Sequence, residues 1–80
     1  MKNPNVAFGK IIAGLRRAAR FSQEELADRA AIHRTYVSQI ERGLKSPTIV
    51  MLLRLAKALN TSPSRILKQL EIEVSGKALD

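Results

Sequence analysis

The stretch from Phe21 to Gly43, FSQEELADRAAIHRTYVSQIERG, decides how the rest of the chain is read. Ser22 followed three residues later by Glu25 has the form of a capping box. Phe21 before the cap and Leu26 after it have the form of a hydrophobic staple, so a helix is expected to start behind Ser22. Glu24 and Glu25 in its first turn suit the positive end of the helix dipole. That helix ends near Ala30. Only Ala31, Ile32 and His33 separate it from a second helix over about Arg34–Arg42, which Gly43 is placed to end in a left-handed conformation. Two short helices joined so tightly, the second with a polar outer face, predict a helix-turn-helix.

On a helical wheel with Val37 inward, Ile40 and Leu44 join it, while Thr35, Ser38, Gln39 and Arg42 face out and Arg34 sits on the flank. These outward side chains carry the donors and acceptors that base edges require. Arg can pair with guanine, Gln with adenine, and Ser or Thr can meet a base polar group or a thymine methyl. The competing reading, a merely solvated face, would favour Glu and Lys in i,i+4 pairs. Glu41 turns toward the inner side, where an unpaired carboxylate is costly. Arg16, in the preceding helix, leans inward too, and a structural ion pair between them is expected.

Outside this unit the pattern is also helical. A first helix is expected over about Val6–Ala19, with Phe8, Ile12, Leu15 and Ala19 as its stripe and Ile11 at the edge. After SPT, Thr48 caps a helix over Ile49–Leu59 whose inner stripe is Ile49, Leu52, Leu55, Ala56 and Leu59. Ser62 and Pro63 open a fifth, carrying Ile66, Leu67 and Leu70. Residues 71–80, EIEVSGKALD, are weakly patterned and read as strand-like or disordered. The expectation is an all-α, compact five-helix bundle forming a single domain, with a core of about 6–70 and a tail of 71–80.

Eighty residues suffice for one small domain of modest stability. Cysteine is absent, so disulfides and cysteine-held zinc do not assist it. The net charge is +7, with thirteen bases and four acids in residues 1–68 (+9) and one base and three acids in 69–80 (−2). A basic domain with a pI near 10.6 points to a polyanionic partner. No apolar run approaches the ~20 residues of a membrane span and the first residues show no signal-peptide core, so cytoplasmic localisation is expected. One histidine and no inward carboxylate cluster argue against an enzyme, a metal site, a cofactor or a small-molecule substrate.

The motifs SQEELA, RTYVSQIERG, SPT and LAKAL together resemble the helix-turn-helix domain of lambda-repressor/Cro-type (XRE) transcriptional regulators over residues about 7–68. The run RTY-V-S-Q-IER also resembles the small controller proteins of restriction–modification systems. The resemblance implies homodimers on pseudo-palindromic double-stranded DNA. It implies base reading by Arg34, Thr35 and Gln39, with Ser38 beside them. Gln23, Tyr36, Arg42, Lys45 and Ser46 match backbone-contacting positions, and an ion pair like Arg16–Glu41 occurs in some members. Three positions depart from the pattern: Arg20 and Ala31 stand where glycine is usual, and His33 replaces a Ser or Thr cap and is placed to meet a phosphate. The apolar surplus on the last two helices (Met51, Leu53, Ile66, Leu70, with Ile72 and Val74 further along) is expected to form the dimer surface. The rival reading is an antitoxin-type protein that grips a protein partner with its acidic tail and binds DNA secondarily.

Overall fold

The computed structural model describes residues 3–76. Five helices follow one another: α1 Pro4–Ala18, α2 Gln23–Ala30, α3 Arg34–Glu41, α4 Ile49–Ala58 and α5 Pro63–Ser75, with no strand among the described residues. Each starts behind a side chain that accepts a backbone N–H of the first turn: Asn3, Ser22, His33, Thr48 and Ser62. α1 starts two residues before the expected Val6, because Asn3 is its cap and Pro4 its first helical residue. At α2 only half of the capping box forms. The Glu25 N–H reaches Ser22 Oγ at 3.0 Å, but the Glu25 carboxylate turns to Arg29 at 3.2 Å. The guanidinium of Arg29 also lies over the Phe21 ring, 4.3 Å from its centroid.

One core joins all five helices. α1 contributes Phe8, Ile11 and Ile12; α2 Leu26, Ala27 and Ala30; α3 Val37 and Ile40; α4 Leu52, Leu55 and Ala56, with Leu59 at its C-cap; α5 Ile66. α3 packs between α1 and α2, while α4 packs against α2 and α5 against α1 and α4. Several wheel assignments need correction. Ala19 is exposed because α1 stops at Ala18; Leu44 is exposed because the chain has left α3; and Ile49 is exposed because α4 starts at the edge of the core. Residues 71–75 are not strand-like or disordered: α5 continues through them, with Val74 half-buried, and Gly76 ends it in the left-handed region at φ 80°. The remainder of the expected tail, residues 77–80, lies outside the described residues.

Two glycines are demanded by contact. A Cβ on Gly9 would lie 2.3 Å from the Ile40 carbonyl oxygen and 2.6 Å from that of Glu41, so α1 crosses the end of α3 at a distance only glycine allows. Gly43, at φ 74°, closes α3 as expected, and a Cβ there would also strike Val6 of α1 at 2.8 Å. Three further left-handed turns use no glycine. Arg20 (φ 63°), Ala31 (φ 56°) and Asn60 (φ 55°) adopt them, each at a helix end. The cost of that conformation, ~1–2 kcal/mol for a non-glycine residue, is offset by hydrogen bonds that close the turns. Phe21 N–H reaches Arg16 O at 3.1 Å, Ile32 N–H reaches Ala27 O at 3.0 Å, and Thr61 N–H reaches Ala56 O at 2.9 Å. Arg54 of α4 also donates to the Ala31 carbonyl at 3.1 Å, holding the turn between α2 and α3 from the side.

Candidate nucleic-acid interface

Behind α3, a small polar network fixes its pose. Arg16 of α1 forks onto Glu41, Nε to Oε2 at 2.7 Å and Nη2 to Oε1 at 3.0 Å, while its Nη1 donates to the Phe21 carbonyl at 2.9 Å. Gln23, the first residue of α2, donates its Nε2 to Glu41 Oε1 at 3.1 Å. One carboxylate thus ties three helices together. The side chains of Arg16 and Glu41 are 12% and 6% exposed, so the charges are largely out of water, but no buried side-chain nitrogen or oxygen among the described residues is left without a hydrogen-bond partner. The hydrogen bond to Glu41 is the main cause that raises the Arg16 pKa above arginine's ordinary value, against the lowering effect of burial.

The opposite face of α3 is open. Arg34, Thr35 and Arg42 are exposed, and Ser38 and Gln39 are partly exposed. None of their side chains has a hydrogen-bond partner within the described residues, so their donors and acceptors are available. Arg34, Thr35 and Ser38 line one open cleft with Gln23, and Arg34 borders a second that runs along the acidic first turns of α2. Arg34, Thr35, Ser38 and Gln39 therefore lie on one side of one helix, next to the α2 N-terminus.

The remaining predicted contact residues lie around this face and are not equally free. His33 caps α3: its Nδ1 accepts the Thr35 N–H at 3.2 Å, which makes Nε2 the protonated nitrogen of the neutral ring. Gln23 has one amide hydrogen engaged by Glu41. Tyr36 packs partly against the core, and its hydroxyl approaches the Ser46 carbonyl at 3.5 Å. The Ser46 hydroxyl is engaged by Asn5 at 2.5 Å. Lys45 is exposed.

A second surface has the opposite chemistry. Ile49 is 73% exposed and Leu53 51%, with Val50 and Leu67 also exposed. Beside them an apolar groove of about 260 Å³ runs between the start of α1, the start of α4 and the middle of α5, lined in part by Phe8, Leu52, Leu67 and Leu70. Of the residues expected there, Leu53 is exposed, Met51 is partly buried, and Leu70 is partly buried against the core while still lining the groove. Ile66 is a correction. It is fully buried among the five helices and cannot belong to a surface, because α5 turns this residue rather than Leu67 to the core. Sequence reasoning assigned Ile49 inward and passed over Asn5 and Gly9. The signal for the early helix start was the Asn3-Pro4 pair, an N-cap followed by a favoured first residue.

The helix-turn-helix family model matches residues 12–66, which include all of α2, α3 and α4 and the turns between them. The chain belongs to the helix-turn-helix family of DNA-binding transcriptional regulators. The control protein C.SmaI of Serratia marcescens is 41% identical over 56 residues, covering 70% of this chain and 67% of that protein. The crystal structure of the restriction–modification controller protein C.AhdI from Aeromonas hydrophila superposes with a TM-score of 0.76 at 39% identity, covering 78% of this chain and 94% of that one. SinR, a master regulator for biofilm formation solved in complex with DNA, superposes at 0.72 with 33% identity, covering 75% and 97%. The chain is thus an XRE-type DNA-binding regulator of lambda-repressor-like fold, related to restriction–modification controller proteins. Transcriptional regulators of this kind are not enzymes. Among the described residues no helix is long and apolar enough to cross a membrane.

Proposed function

We propose that the protein is a sequence-specific regulator that binds a pseudo-palindromic operator in double-stranded DNA as a homodimer, one DNA-binding domain per chain, and that it controls a restriction–modification operon that includes its own gene. The observation that carries this reading is the unpaired polar face of α3, held outward by a satisfied ionic network behind it. In the major groove Arg34, Thr35, Ser38 and Gln39 read base edges. Gln23, His33, Tyr36, Arg42 and Lys45 meet the phosphate backbone, and cationic residues release counterions on binding. His33 suits this role because its cap leaves Nε2–H as an outward donor. Such a protein works in the cytoplasm, without a cofactor or a small-molecule ligand.

One α3 reads only a few base pairs, so specificity calls for two copies on half-sites ~34 Å apart or a multiple of it. The surface of Ile49, Leu53, Leu67 and Leu70, with Met51 at its border, is the dimer surface. An exposed apolar cluster on so small a basic protein favours self-association. The antitoxin reading rests on the acidic, weakly patterned tail 71–80, of which 71–75 are helical and 77–80 lie outside the described residues.

Selection of bound duplexes from a random pool tests the whole reading. A two-fold symmetric consensus with fixed half-site spacing is the expected result. Absence of any consensus, or an asymmetric single short site bound by a monomer in sedimentation, would refute it.

A further inference from the structure

The hydrogen bonds around Ser46 reassign a DNA contact. The loop after α3 is pressed onto the first turn of α1 at two points. Gly43 lies against Val6, and the Ser46 Oγ lies 2.5 Å from Asn5 Oδ1. The Ser46 hydroxyl donates to the Asn5 carboxamide oxygen. A serine hydroxyl has one proton, and here it is given to Asn5. The Ser46 carbonyl is in turn approached by the Tyr36 hydroxyl. A phosphodiester oxygen only accepts, so the Ser46 hydroxyl held in this way has no proton to offer it.

The Asn5 amide nitrogen does. It carries two N–H donors, and neither is used within the described residues. Asn5 is the second residue of a helix started by the Asn3 cap and Pro4. It shares this corner with exposed Lys45 and with Tyr36 of α3. Built on the DNA-binding reading above, we propose that the Asn5 carboxamide, delivered by α1 and oriented by Ser46, is the hydrogen-bond donor to a DNA phosphate at this corner, and that Ser46 is a positioning residue. A phosphate contact weakens all duplexes alike when lost, because it carries no sequence information.

Three variants test this by titrating the selected operator and a random duplex, alongside sedimentation and thermal melting. Asn5→Leu keeps the shape and loses the donors. Asn5→Asp keeps the acceptor for Ser46 and adds a charge favoured in a first helical turn, so its Tm should not fall. Both should bind the two duplexes about fivefold more weakly per subunit, with unchanged dimerisation. Ser46→Ala should lose less than either. Asn5 variants that bind like the wild type, a Ser46→Ala loss equal to or above theirs, or a loss that follows weakened dimerisation would each overturn the assignment. If the wild type itself shows no preference for operator over random duplex, the reading beneath it fails instead.

Discussion

α3 and α4 are neighbours in the chain and are built alike. Each starts behind a side-chain cap and buries a narrow apolar stripe, yet they leave opposite chemistry in the solvent. α3 turns Val37 and Ile40 inward and exposes Arg34 and Thr35; α4 turns Leu52, Leu55 and Ala56 inward and exposes Ile49, Val50 and Leu53. The supports differ as well. With only two buried residues, α3 is held by the Glu41 network and by its close crossing with α1, whereas α4 is held by apolar packing. A surface meant to read polar groups has few hydrophobic anchors to spare, so its pose depends on directional contacts behind it.

The contrast can be broken from the back of α3 first. Glu41→Ala strands Arg16 and Gln23 and should cost ~3–5 kcal/mol, the range for removing one partner of a largely buried pair, measured by urea unfolding. Because the folded-state pKa of Arg16 is raised, its share of the pair's stability is fully present below arginine's ordinary pKa and is lost only as strongly alkaline pH passes the raised value. Arg16 therefore adds no pH dependence to stability near neutrality. Gly9→Ala comes next. Its methyl would meet backbone oxygens that cannot swing aside, and about 3 kcal/mol of overpacking strain is expected, read as a lowered urea midpoint.

The exposed faces give smaller effects. Ile49→Glu should leave Tm nearly unchanged, since the side chain is mostly in water. Dimerisation should weaken by about 2 kcal/mol, seen in sedimentation as a shift toward monomer and in DNA titrations as lost cooperativity. A dimer unaffected by this change would place the interface elsewhere. Arg34→Ala should cost ~1–3 kcal/mol on the selected operator and relax choice at one base pair, while Lys45→Ala should weaken every duplex alike and flatten the salt slope. Equal losses on operator and random duplex for Arg34→Ala would remove its base-reading role. The smallest change is His33→Ser. A better cap should raise stability by about 0.5 kcal/mol, while DNA affinity falls if the imidazole Nε2–H meets phosphate.

Much of the architecture was legible in local signals. Ser22, Thr48, Ser62 and Gly43 mark helix ends because caps and left-handed closures act within four residues. The tight AIH join and the polar wheel of α3 were legible for the same reason. Periodicity failed at element edges. Ile49 and Leu44 have the right angle for the core but stand where the helix has begun or ended beyond its reach. Ile66 and Leu67 are adjacent apolar residues, and composition cannot say which one α5 turns inward. Residues 71–75 lack a strong stripe, and they are helical as a continuation of a helix already anchored upstream.

The sequence by itself determined five helices, a helix-turn-helix at Phe21–Gly43 and a basic polar face on α3, because capping, periodicity and charge are properties of neighbouring residues. Tertiary structure alone decided which donors remain free. Gln23 gives an amide hydrogen to Glu41, 18 positions away, and Ser46 gives its proton to a side chain 41 positions away. A hydrogen bond is directional and short, so its partners are set by how the helices cross, and no local pattern records that.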